Sequence, residues 1–167
     1  MWKKTKRRTT RLLSITMWKV GLESLLTCLS LIKLNEDTPL DTLTLSWEKE
    51  KGIYQGKREL LDGDISVPRW VAGLFIFFYP LFPKKCLRQA LTLYRHLIRF
   101  GLDPEIWIGV KKQKDDIQGH AWVVMENKIL GEKINPLNLY KPIMIIKRGK
   151  AMAPNIENKT NEKIVYT

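Results

Sequence analysis

The 167-residue chain is short of the residues that build metal and disulfide sites: it has two cysteines, Cys28 and Cys86, and two histidines, His96 and His120. Two cysteines in unlike surroundings are too few for a disulfide framework in a chain of this length. No CxxC pair and no His/Cys cluster with ligand spacing occurs, so neither a structural zinc nor any other metal or cofactor is expected. Long apolar runs are lacking as well. The stretch Trp70–Phe82 is too short for a bilayer span, and Pro80 interrupts it. The basic start has the look of a secretory signal, but Lys19 and Glu23 break the apolar stretch behind it and no clean small-residue cleavage site follows. A cytoplasmic protein is therefore expected.

Acidic residues are the scarce sign of charge, 17 against 29 Lys and Arg, for a net charge of +12. The excess is uneven: Lys3, Lys4, Lys6, Arg7, Arg8 and Arg11 crowd the start, and Lys141, Lys147, Arg148 and Lys150 follow the central segment. Such a balance favours an anionic partner, whether a membrane surface, an acidic peptide or nucleic acid. No nucleic-acid motif accompanies it, so nucleic acid is not expected, while peripheral contact with a membrane remains compatible with it.

What is present suits one domain with one core, since 44 % of the residues are hydrophobic. Residues 10–34 read as an amphipathic helix, with Leu12, Leu13, Met17, Val20, Leu25, Leu26, Leu29 and Ile32 at helical spacing. Cys28 lies inside that run and is expected to be a small buried hydrophobe. Residues 35–68 are broken by Gly and Pro; a short strand near Leu43–Trp47 and a helix near Lys57–Leu61 are expected there. Residues 69–79 form a second apolar segment. From Cys86 to Phe100 the positions Leu87, Ala90, Leu91, Tyr94, Leu97 and Ile98 make a helical stripe that Gly101 ends. Ile106–Val110 and Ala121–Met125 read as strands, Lys111–Gly119 as a polar loop between them, and Glu126–Lys128 as a hairpin turn. The organisation expected is thus a helical and irregular region over 1–68 packing on a core at 69–148, with 149–167 as a flexible tail.

Cys86 opens a helix directly after Pro83-Lys84-Lys85. A thiol attacks as its thiolate, and the positive potential of a helix N-terminus with two lysines beside it favours that form. A base completes the activation. His96 sits ten residues further along the same helix, about 15 Å by helical rise, so it reads as an ordinary surface histidine. His120, at the start of a strand in Gly-His-Ala-Trp, is the candidate base. Helix-on-sheet packing would bring it to the thiol. A third group should orient the imidazole. A three-residue loop at 126–128 would pair Trp122 with Glu132 and put Glu132 on the face of His120, whereas a two-residue loop at 126–127 would put it on the other face. Asp115, Asp116 and Asn127 are the alternatives.

The series Lys85-Cys86-Leu87-Arg88-Gln89-Ala90-Leu91, Leu93-Tyr94, Leu97-Ile98-Arg99, Gly101, Ile108-Gly109-Val110 and Gly119-His120-Ala121-Trp122-Val123 resembles the leader peptidases of lasso-peptide biosynthesis, members of the transglutaminase-like superfamily. The match is most specific over 84–132. The helix at 10–34 is also similar to the amino-terminal helix of stand-alone peptidases from split systems. The resemblance implies an α+β, papain/transglutaminase-like core, in which a nucleophile helix packs on a small antiparallel sheet behind an N-terminal helical region. It further implies a cysteine peptidase with a Cys-His-acid triad of Cys86, His120 and Glu132, where fused members carry Asp in the third role. The implied reaction removes the leader from a ribosomally made precursor peptide, whose core an ATP-dependent lasso cyclase then closes. Residues 1–68 do not read as the winged-helix domain that binds the leader in fused members, so the leader-recognition protein is expected to be separate. Two other readings stand beside this one. Another transglutaminase-like amide hydrolase or acyltransferase would share the fold, and a non-catalytic basic adaptor would bind a membrane or anionic partner.

Overall fold

A computed structural model describes residues 15–32, 39–54, 65, 68–73, 85–114, 116–154 and 165–166. Among the described residues, helix α1 (Ile15–Ile32) packs on helix α3 (Lys85–Arg99), helix α2 (Leu40–Glu48) packs on α3 and on one edge of a six-stranded sheet, and α3 packs on that sheet. Its strands are β1 (Glu105–Gln113), β2 (Asp116–Met125), β3 (Lys128–Leu130), β4 (Lys141–Lys147), β5 (Lys150–Met152) and β6 (Val165–Tyr166), in the order β5-β4-β1-β2-β3-β6. Every pairing is antiparallel except that of β3 with β6. This is the α+β arrangement expected, with the Cys86 helix packed on a mainly antiparallel sheet.

Helix α3 is the centre of the molecule because its apolar stripe is wide. Ala90, Leu91, Leu93, Tyr94, Leu97 and Ile98 are all buried against α1, α2 and one face of the sheet. It stops where Gly101, at φ +82°, closes a Schellman motif: Leu102 N–H donates to Leu97 C=O (3.2 Å) and Gly101 N–H to Ile98 C=O (2.8 Å). Arg95 and Arg99 then fix the helix to the turn after α2 by gripping Glu50 at 2.6 and 2.7 Å.

Residues 43–47 are helical, not the short strand expected. Alternation of Leu and polar residues there suggested a strand, but Leu40, Leu43, Thr44 and Trp47 follow the i, i+3, i+4, i+7 pattern of a helix. Thr44 and Trp47 are buried, and Leu40 and Leu43 pack on the α3 cluster. The 111–119 loop is likewise mostly strand, since the β1–β2 ladder runs out to Gln113↔Asp116. Its polar composition reflects exposure, because this end of the hairpin projects beyond the packed core and is held by backbone hydrogen bonds. Within the expected tail, residues 150–152 and 165–166 are the edge strands β5 and β6. The helix expected near Lys57–Leu61 lies outside the described residues.

Strand alternation sorts the core into two layers. Ile106, Ala121, Val123, Leu130 and Ile146 face α3, while Trp107, Trp122, Val124, Ile129 and Ile145 form a second cluster on the opposite face. Gly109 belongs to that second face, directly across from His120. The fully buried Trp122 ring lies over it: a Cβ at position 109 would stand 2.8 Å from Trp122 Cη2 and 3.0 Å from the Lys141 carbonyl oxygen. Gly109→Ala should therefore destabilise the protein by about 1–3 kcal/mol, read as a lower urea midpoint at unchanged m-value. A midpoint equal to wild type would mean that Trp122 can shift without cost.

Candidate active site

Cys86 occupies the first turn of α3, where backbone N–H groups have no partners within the helix. The helix N-terminus meets β2 at a gap in the sheet. Strand β3 covers β2 only over Val123–Met125, so the backbone of 119–121 has no β3 partner on that side. The half-buried Cys86 thiol fills this gap, its Sγ 3.9 Å from the Gly119 carbonyl oxygen. As a thiolate it accepts from the N–H groups of Ala121 and Leu87.

His120 stands on β2 beside the gap. Its ring is stacked at 5.0 Å from Tyr140 and at 5.9 Å from Trp122. Those rings are themselves held, Trp122 by burial over Gly109, and Tyr140 by the Lys111 ammonium 5.2 Å from its centroid. Imidazole Nε2 lies 3.4 Å from Glu132 Oε2. With Nε2 directed at the carboxylate, Nδ1 is the nitrogen left to serve the thiol.

Glu132 reaches His120 by a route that strand register does not foresee. The β2–β3 turn is the two-residue kind, with Glu126 and Asn127 at φ +49° and +61° and Met125 paired to Lys128. Extended in register, β3 would set Glu132 opposite Ala121, on the α3 face and away from His120. Gly131 breaks the strand instead, at φ +68°. Its missing side chain also leaves room for Arg69, whose Cδ would lie 2.7 Å from a Cβ there. Arg69 Nη2 donates to Glu132 Oε1 at 2.8 Å, so the carboxylate is pinned between guanidinium and imidazole. Glu132 thus lies beside His120, through a turn and a strand break that differ from the three-residue loop that favoured it.

The other candidates lie elsewhere. Asp116 is near the outer end of the β1–β2 hairpin, its carboxylate accepting from the Ile117 N–H. Asn127 sits at the far end of β2 from His120, and Asp115 is outside the described residues. His96 is not a surface residue: it is buried, edge-on to Phe100 at 5.0 Å. Cys28 is buried against Thr92 Oγ1 at 3.6 Å, and burial pushes its thiol up. Arg69, Gly131 and Tyr140 were not foreseen, because their roles arise from contacts between distant segments.

The protonation states follow from this geometry. Burial works to raise the Cys86 thiol, yet the imidazole of His120 and the N–H groups of Ala121 and Leu87 outweigh it and hold the thiol below its ordinary range. His120 is pushed up to about 9, by Cys86 and then Glu132, against the opposing effect of burial. For Glu132, burial again works upward, but His120 and Arg69 prevail and keep the carboxyl below its usual value. The arrangement thus shifts all three groups toward their charged forms, thiolate, imidazolium and carboxylate.

A helix that delivers a thiol to a strand-borne imidazole is the layout of papain-like and transglutaminase-like proteins. A family model described as the transglutaminase-like superfamily matches residues 69–145. The matched segment runs from Arg69 through Cys86, His120 and Glu132 to the middle of β4. That superfamily commonly comprises cysteine peptidases and acyltransferases. No match to the chain was found among curated proteins or among solved structures.

Proposed function

We propose that this protein is a cysteine peptidase that removes the leader from a ribosomally made lasso precursor peptide. In this reading it acts in the cytoplasm with a separate leader-recognition protein, ahead of an ATP-dependent lasso cyclase. The observation that carries the peptidase chemistry is the meeting of Cys86, His120 and Glu132 at the gap beside β2, with the thiol held low and the imidazole high. The narrower assignment to leader removal rests on the sequence pattern of 84–132, in which the helix start, the Ile-Gly-Val strand and the His-Ala-Trp-Val strand follow in order.

The chemistry runs as follows. The Cys86 thiolate attacks the scissile carbonyl carbon, and the carbonyl π electrons move onto its oxygen. The Cys86 N–H, in the first turn of α3 where helix N–H groups lack intrahelical partners, can donate to that oxyanion. His120, as imidazolium, gives its proton to the departing amine, and the C–N bond breaks to leave a thioester on Cys86. Neutral His120 then takes a proton from water, hydroxide adds to the thioester, and the acid product leaves as the thiolate and imidazolium are restored. Glu132, anchored by Arg69, keeps the imidazole oriented and stabilises its charge through both halves.

The test is incubation with a candidate precursor and recognition protein, followed by mass spectrometry. A single cut that frees the leader, with one water added across the bond, is expected. Transfer of the acyl group to an amine would instead assign an acyltransferase, and intact precursor under conditions where Cys86 is alkylated rapidly would remove the leader-peptidase reading.

A further inference from the structure

Helix α1 is turned the opposite way from most surface helices. The face it packs on the body of the protein is partly polar: Val20, Ser24, Thr27, Cys28 and Leu31 are buried there. Ser24 and Thr27 can be buried because their hydroxyls donate to carbonyls one turn back, Val20 at 2.7 Å and Glu23 at 2.9 Å. The outward face carries Trp18, Leu22, Leu25, Leu26 and Leu29, which are 69, 59, 37, 55 and 42 % exposed. At 3.6 residues per turn these five project within an arc of about 100°, a continuous apolar strip along the helix. Strips of this kind mark a surface that meets something apolar.

Charge identifies the partner. The sequence leading into α1 holds Lys3, Lys4, Lys6, Arg7, Arg8 and Arg11, and no acidic residue occurs before Glu23. Trp18, at the start of the strip, is a side chain suited to the boundary between headgroups and acyl chains. A convex apolar strip behind a run of cations is complementary to a flat surface that is apolar within and anionic outside. No helix among the described residues is long and apolar enough to cross a membrane. We infer that α1 lies in the headgroup region of an anionic lipid bilayer with its leucine strip inserted, the positive charge of the sequence before it supplying the preference for anionic lipid. The attachment is independent of the proposed peptidase reaction, since α1 contributes no residue to the Cys86 site.

Vesicle flotation of the full chain tests this. Binding should be about tenfold or more stronger to phosphatidylcholine vesicles containing phosphatidylglycerol than to phosphatidylcholine alone, and should weaken as salt is raised. The double variant Leu22→Asp/Leu26→Asp should lose about tenfold or more of that binding. Its Cys86 should still be alkylated at the wild-type rate, which reports an intact core. Replacing the six early cations by Gln should remove the preference for anionic lipid while preserving alkylation. Equal flotation of wild type and the leucine variant overturns the inference. So does a wild-type dimer in solution that the leucine variant dissolves, because a second copy would then be what covers the strip.

Discussion

Cys86→Ala should abolish amide cleavage, lowering kcat/KM by about four orders of magnitude or more, because the attacking atom itself is removed. His120→Ala should approach the same loss, since nucleophile and base act as a unit and either deletion disables it. The two variants separate under iodoacetamide. Wild type should show one fast thiol, at Cys86, whereas Cys28 is buried and its thiol is pushed up, so it should label slowly. Cys86→Ala leaves only the slow site. His120→Ala keeps the Cys86 sulfur but removes the cation that favours its thiolate, so the fast phase should slow near neutral pH and recover as pH is raised. Full cleavage by Cys86→Ala would sink the whole proposal. Fast neutral-pH labelling in His120→Ala would show instead that the helix N-terminus and the Ala121 and Leu87 N–H groups activate the thiol unaided.

Much of this site was legible in the sequence because its first two members sit in strongly patterned elements. The stripe from Leu87 to Ile98 fixes α3, and a helix fixed at that point puts Cys86 in its first turn. Ile106 to Val110 and Ala121 to Met125 mark the central hairpin and hence the place of His120. Shorter elements were harder to read. Residues 43–47 alternate like a strand over their own length; the helical spacing shows only when Leu40 is read with them, and Trp47 is buried beside Tyr94 of α3. Strand register also misdirects at Glu132, because alternation assumes that a strand continues. Gly131 ends it, and Arg69, 63 residues earlier in the chain, holds the carboxylate in its new position. A contact across that distance leaves no local periodicity to read. The same applies to His96, whose helix position suggested exposure while α1 and the turn after α3 cover it. Helix α1 was read correctly as amphipathic, but amphipathicity does not say which face turns inward. The outward Leu22 and Leu26 and the inward Ser24 and Thr27 reverse the usual assumption.

Glu132→Gln carries the most direct test of how the site is charged. The productive form requires Cys86 deprotonated and His120 protonated, so activity should rise through the apparent pKa of the thiol and fall through that of the imidazole, about 9. A carboxylate beside the ring raises the imidazole by favouring its cation. Glutamine keeps an oxygen near Nε2 but removes the charge, so the alkaline limb should move to lower pH. With less imidazolium present, the thiolate loses its counter-charge, and the acid limb should move to higher pH. The window narrows from both sides. At its centre kcat should still fall, by about two to four orders of magnitude, as the ring loses orientation and charge stabilisation. Glu132→Asp retains the charge on a shorter arm and should keep the wide window while losing rate, because the carboxylate no longer spans from Arg69 to Nε2. A Gln variant with the wild-type alkaline limb and undiminished rate would remove Glu132 from the mechanism and leave Arg69 and Glu132 as a pair that only ties residues 68–73 to the end of β3.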